Sequence, residues 1–138
     1  MAYWLMKSEP DAWSWDQQVK KGAKGEAWTG VRNHQAKLNF MKMKKGDLAF
    51  FYHSNIGKAA VGILEVIREA YPDPTAEPGS PWVVVEVKAV EPLPNPVSLD
   101  AIKAEPRLKG MMLVNNTRLS VQPVTPEEWK LVCRMGGL

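Results

Sequence analysis

Trp82-Val-Val-Val-Glu-Val-Lys-Ala-Val90 is the stretch that most constrains the fold, because five of its nine residues are valine and it reads as a strand. Its surroundings are as telling. Four prolines and a glycine fill positions 72–81, which makes that segment a surface loop, and Pro92, Pro94 and Pro96 are expected to stop the strand. A chain that carries such a strand between proline-rich breaks needs other strands to pair with it. Four more candidates follow from local pattern: Tyr3–Met6, the aromatic run Leu48-Ala-Phe-Phe-Tyr52, Ala59–Ala70 and the alternating Arg118–Val124. Gly62 inside the third of these marks a bulge or a close approach.

Helices fit between the strands without a regular rhythm. Ser14 and Gln17 have the spacing of a capping box, so a short helix should run from Trp15 to about Lys21. Asn33 caps a second, with Ala36, Phe40 and Met43 near one face. A third begins at Ser98. Thr125, Pro126 and Glu128 open a closing helix that reaches about Arg134. No βαβ alternation, repeat or low-complexity segment appears. The pattern predicts an α+β fold, a small and strongly curved mixed or antiparallel sheet closing into a partial barrel of roughly five to six strands with short helices around it. At 138 residues the chain is expected to be one domain, 1–138.

Cys133 is the single cysteine, so no intramolecular disulfide forms, and its most economical role is a small buried hydrophobe. One cysteine and two histidines cannot close a structural zinc site. Phosphate loops, dinucleotide fingerprints and G-x-S-x-G elbows are all missing. The expectation is therefore no metal, no cofactor and no catalytic group. No signal peptide or membrane span is legible, and with the lone thiol this predicts a cytoplasmic chain, with a monomer as the expected state.

Charge is uneven. Between positions 19 and 58 lie Lys20, Lys21, Lys24, Arg32, Lys37, Lys42, Lys44, Lys45 and Lys58, against only Glu26 and Asp47, a net +7; the rest of the chain nets −4. Inside that basic block sits Glu26-Ala-Trp-Thr-Gly-Val-Arg-Asn33. Trp28 offers a stacking face, Gly30 a permissive backbone, Arg32 a guanidinium and Asn33 an amide, with Val31 between them. That inventory suits a planar polar ligand next to a phosphate. The competing reading makes Trp28 a core plug and the lysines a solubilising surface. A stacking aromatic within a basic block is the footprint of a nucleic-acid binder.

Two further clusters lie at strand ends. Lys7-Ser8-Glu9 follows the first strand. Ser8 could serve as a nucleophile with Lys7 as base, but no oxyanion element accompanies them, and a turn-capping serine with a ligand-binding lysine is the simpler reading. Tyr52-His53-Ser54 ends the aromatic strand, where His53 is either a general acid/base or part of a pocket lining. Trp129 belongs to the core of the last helix, and Trp13 and Trp15 pack over the barrel.

Five blocks together resemble EVE-domain proteins of the PUA-like superfamily: Tyr3–Pro10, Trp28–Asn33, Gly46–Ser54, Trp82–Val87 and Arg118–Val124. The resemblance runs in order along essentially the whole chain. It implies a PUA-like pseudobarrel with a concave pocket, related in fold to YTH and ASCH domains. It also implies a partner, nucleic acid carrying a modified base, with modified cytosine in DNA ahead of modified RNA. Carried onto this chain, the pocket would draw on Lys7, Ser8, the Trp28 loop through Asn33, and Tyr52, His53 and Ser54, with Trp82 and Ser120 as further walls. The alternatives are an enzyme acting on a nucleobase or nucleoside and a small-molecule-binding module on the same fold.

Overall fold

The computed structural model describes all residues, 1–138. Six strands form one sheet: β1 (Tyr3–Ser8), β2 (Glu26–Ala27), β3 (Leu48–His53), β4 (Ala59–Pro72), β5 (Val83–Ser98) and β6 (Val121–Val124). Their spatial order is β2-β5-β4-β3-β1-β6. β1 and β3 are parallel neighbours, and every other pairing is antiparallel. The helices are α1 (Trp15–Lys20), α2 (His34–Lys42), α3 (Leu99–Ala104), α4 (Met112–Asn115) and α5 (Pro126–Met135), with 3-10 turns at Gly22–Lys24 and Pro106–Leu108. This is the expected mixed α+β architecture.

A sheet buried on both faces needs apolar residues at consecutive positions. β3 supplies them. Ala49 and Phe51 join Trp4, Met6, Trp15, Trp28, Phe40 and Val85 in one apolar cluster, while Phe50 and Tyr52 join Leu5, Ile63, Ile102 and Trp129 in the other. α2 covers the first face and touches both β6 at one edge and β4 and β5 on the far side, so the sheet curls around it. Asn39 inside α2 donates to the Val121 carbonyl at 2.7 Å and fixes that closure. α3 and α5 contribute to the second cluster, where the Trp129 ring stacks on Phe50 with centroids 4.0 Å apart.

Caps fall where local chemistry puts them. Ser14–Gln17 and Thr125–Glu128 form complete capping boxes, and Asn33 accepts from the Ala36 N–H. Strand ends differ from the pattern in two places. β5 runs past Val90 to Ser98, straight through Pro92, Pro94 and Pro96. Only β4 pairs along that stretch, β2 reaching no further than Glu86 and Val87, and β4 itself skips from Pro92 to Val97, so prolines lacking an N–H are tolerated there. β6 starts at Val121 rather than Arg118. The turn before it folds over Gln122, whose amide donates to the carbonyls of Asn116 and Leu119. The short β2 and α4 carry no clear local signal and form through their tertiary partners.

β4 and β5 shift register four times between Ala59 and Tyr71, which bends both strands. One shift flanks Gly62. A Cβ there would stand 2.4 Å from the Trp15 ring, so the glycine is where that indole lies against the sheet.

Candidate functional site

A concavity of about 490 Å³ opens beside the end of β1. Three segments build it: Lys7, Ser8 and Glu9 leaving β1, then Ala12 and Trp13 ahead of α1, then the run Glu26–Arg32, with Ser120 closing the far side. No helix of the structure is long and apolar enough to cross a membrane.

Each wall is held by specific bonds. Ser8 Oγ donates to the Trp13 carbonyl at 2.6 Å, and the Lys7 N–H donates to the Ser120 carbonyl at 2.8 Å. The Trp13 indole N–H donates to Gln18 Oε1 at 2.8 Å, and the Gln18 amide donates in turn to the Val87 carbonyl on β5 at 3.1 Å. Gln18 is fully buried, so this two-bond chain fixes the Trp13 ring to the sheet. Opposite, Trp28 is 7% exposed and meets the edge of Phe51 at 5.4 Å. Trp28 is therefore both a core residue and a wall of the concavity; the two readings of that residue do not exclude each other.

The loop after Trp28 is tied down by Asp73. Its side chain is completely buried and accepts from the Gly30 N–H at 3.0 Å, from Arg32 Nη1 at 3.0 Å and from both the backbone and the hydroxyl of Thr75 at 2.7 Å. Burial acts to raise its pKa, but hydrogen bonds from Thr75, Gly30 and Arg32 together outweigh burial and hold the carboxyl at about 2. Gly30 sits at φ +85°, a backbone state other residues seldom take, and this presents its N–H to Asp73. Arg32 thus has a structural partner while its side chain stays 38% exposed at the rim.

The polar inventory of the concavity is mixed. Lys7 Nζ donates to the Thr117 carbonyl at 2.7 Å, and partial burial lowers its pKa. Glu26 pairs with Lys21 at 3.4 Å with both groups partly exposed, and Glu9 is exposed. Two indoles, two carboxylates, an ammonium and a guanidinium can hold a flat heterocycle by its faces and meet both donors and acceptors on its edge.

Of the residues singled out in the sequence, Lys7, Ser8, Trp28, Gly30, Val31, Arg32 and Ser120 come together here. Asn33 spends its side-chain oxygen on the Ala36 N–H. Tyr52 lies on the opposite face of the sheet, where burial and then Asp100 push its pKa up to about 12. His53 lies outside the concavity with its Nε2 accepting from the Trp15 N–H at 3.2 Å, and burial lowers its pKa while Asp16 opposes that. Ser54 donates its N–H to the Ser8 carbonyl from outside the concavity. Trp82 stands off, its ring against His34 with centroids 4.8 Å apart. Sequence reasoning passed over Glu9, Ala12, Trp13, Glu26, Ala27 and Thr29 as walls. Three of these lie inside the Glu26–Asn33 stretch, and the spacing from Ser8 to Trp13 was the available signal for the rest. Cys133 is kept protonated, burial and then Glu91 pushing its pKa to about 11.

A curled six-stranded sheet with a tryptophan-walled concavity at the end of β1 defines a PUA-like domain. The EVE domain model matches residues 2–135, and the chain belongs to the EVE-domain family. Thymocyte nuclear protein 1 of Rattus norvegicus is 36% identical over 162 residues, covering 94% of this chain and 71% of the relative. The human THYN1 protein, solved in complex with 5-methylcytosine-containing DNA, superposes with a TM-score of 0.92 at 30% identity over 100% of this chain and 99% of that one. The YTH domain of Zygosaccharomyces rouxii MRB1, solved with N6-methyladenosine RNA, shares the fold at a TM-score of 0.59 and 17% identity, covering 99% of this chain and 87% of that one.

Proposed function

We propose that this chain is a non-catalytic reader of modified cytosine in DNA, which it captures as a single base turned out of the stack into the concavity. The observation that carries the reading is the concavity itself: Trp13 and Trp28 line it, and its size falls within the roughly 300–1,000 Å³ typical of small-ligand sites. The bound DNA of human THYN1 points the same way. Turning a base out costs a few kcal/mol, and stacking on an aromatic ring returns about 1–3 kcal/mol. One indole contact and one or two edge hydrogen bonds therefore balance the step. Glu26 and Glu9 offer acceptors to an exocyclic amino group, and Lys7 and Arg32 offer donors to a carbonyl or phosphate oxygen. Unpaired lysines of the basic block add salt-sensitive attraction for the flanking backbone. The candidate catalytic groups support a non-enzymatic role, since Ser8 Oγ, Lys7 Nζ and His53 Nε2 each already serve a structural hydrogen bond.

The test is tryptophan fluorescence titration with short DNA and RNA strands carrying cytosine, 5-methylcytosine or 5-hydroxymethylcytosine, at two salt concentrations. DNA with a modified cytosine should quench most strongly, and the affinity should fall as salt rises. Trp13→Ala should weaken binding by about tenfold while circular dichroism stays native, since Trp13 is only partly buried. No quenching by any oligonucleotide would redirect the search to free small molecules.

A further inference from the structure

Trp82 and His34 form an aromatic pair that the base-binding concavity does not use. Their rings lie 4.8 Å apart at 39°, with His34 exposed as the first residue of α2 and Trp82 half-buried just ahead of β5. A large ring left partly open to water beside another ring is an incomplete stack. The pair is bonded directly to the rim. The Asp73 N–H donates to the Trp82 carbonyl at 3.0 Å, and the Asp73 carboxylate holds Gly30 and Arg32. Along the chain, His34 is two residues from Arg32, a span of at most about 7.6 Å between Cα atoms. Stacked bases along one DNA strand are about 3.4 Å apart, so His34 is rooted no more than about two base steps from the rim residue Arg32.

The charge around the pair fits the same occupant. Spacings of three, four and seven residues place Lys37, Leu38 and Met41 on the helix face that His34 begins. Leu38 is 45% and Met41 56% exposed. None of the five ion pairs engages Lys37. An aromatic platform with an unpaired lysine one turn on takes a nucleotide, its base on the rings and its phosphate on Lys37.

We propose that Trp82 and His34 form a second stacking site, which takes the nucleobase adjacent to the one held in the concavity. This rests on the base-reader reading and extends it, because the ligand becomes a strand segment of at least two nucleotides rather than a lone base.

The experiment uses the intact chain and 5-methylcytosine DNA strands in which the 5′ or the 3′ neighbour of the modified base is replaced by an abasic site. In the wild type, one of the two abasic strands should bind about tenfold more weakly than the complete strand. In His34→Ala and Trp82→Leu the complete and abasic strands should bind alike. His34 is exposed at a helix start, so its variant tests the site even if the tryptophan variant folds poorly. Equal binding of both abasic strands by the wild type would overturn the second site and leave the reader intact. Sensitivity to the abasic neighbour that persists undiminished in His34→Ala and in a folded Trp82→Leu would equally overturn it. Failure of every 5-methylcytosine strand to bind would overturn the reader and the second site with it.

Discussion

The imidazole of His53 accepts the Trp15 N–H through Nε2, which it can do only while that nitrogen carries no proton. Burial lowers its pKa below the usual value of about 6.5, against the opposing pull of Asp16. The unfolded chain therefore takes up this proton first as the solution is acidified. Stability from His53 is complete above the ordinary histidine range and is lost as pH falls through it toward the lower folded value. Melting temperatures measured from pH 7.5 down to 5 should decline more steeply for the wild type than for His53→Gln, which keeps a side-chain acceptor and cannot titrate. Parallel declines would mean that the Trp15 bond is not coupled to this proton. At this scale the sequence was legible only in part. A histidine at a strand end reads as chemistry, and nothing local reveals that its nitrogen meets a helix start 38 positions away. The same holds for Asp73, which sits in a proline-rich loop with no sign that Gly30 and Arg32 depend on it.

Elements whose signals lie within themselves were legible. The apolar aromatic run of β3, the Ser14 and Thr125 capping boxes and the Asn33 cap all rest on neighbours within a few positions, and each is where the residues place it. Elements defined by a partner were not. β2 is two residues long and exists because Glu26 and Ala27 meet Val87 and Glu86. α1 is capped locally, as the sequence predicts, but the sheet fixes its seat, since Trp15 lies across Gly62 with its ring centroid 5.5 Å from that of Phe51. Gly62→Ala would drive a methyl group into that ring from 2.4 Å away. Displacing Trp15 should cost about 1–3 kcal/mol of stability, seen as a lower midpoint in urea unfolding. Because Trp13 precedes the same helix and is pinned by Gln18 within it, the variant should also weaken oligonucleotide binding. A variant as stable as the wild type would show that α1 has room to shift.

At the scale of the whole molecule, the fold class and its curvature followed from strands of uneven spacing with short helices between them. The concavity did not follow from local pattern; the family resemblance implied it, with Lys7, Ser8, the Trp28 loop and Ser120 among its walls. It gathers residues from β1, the α1 approach, the Trp28 loop and the β6 approach, and only the sheet order brings Ser120 next to Lys7. β5 marks the remaining surprise, a long strand whose later half has β4 on one side and no strand on the other. Pro92, Pro94 and Pro96 withhold three donors there, and the Asn95 N–H is taken by the Gly136 carbonyl. Replacing Pro92 and Pro96 with threonine should restore two donors to that edge. Sedimentation velocity should then show more self-association than the wild type, increasing with concentration; a profile unchanged from the wild type would assign the prolines another role.

A strand margin with no neighbouring strand can pair with a second copy of itself. The proline run makes this margin inhospitable in a way that survives partial unfolding, because a missing N–H is a property of the residue and not of the fold. The segment that reads as the end of a strand thus withholds three backbone donors from any strand that meets it, whether or not the chain is folded.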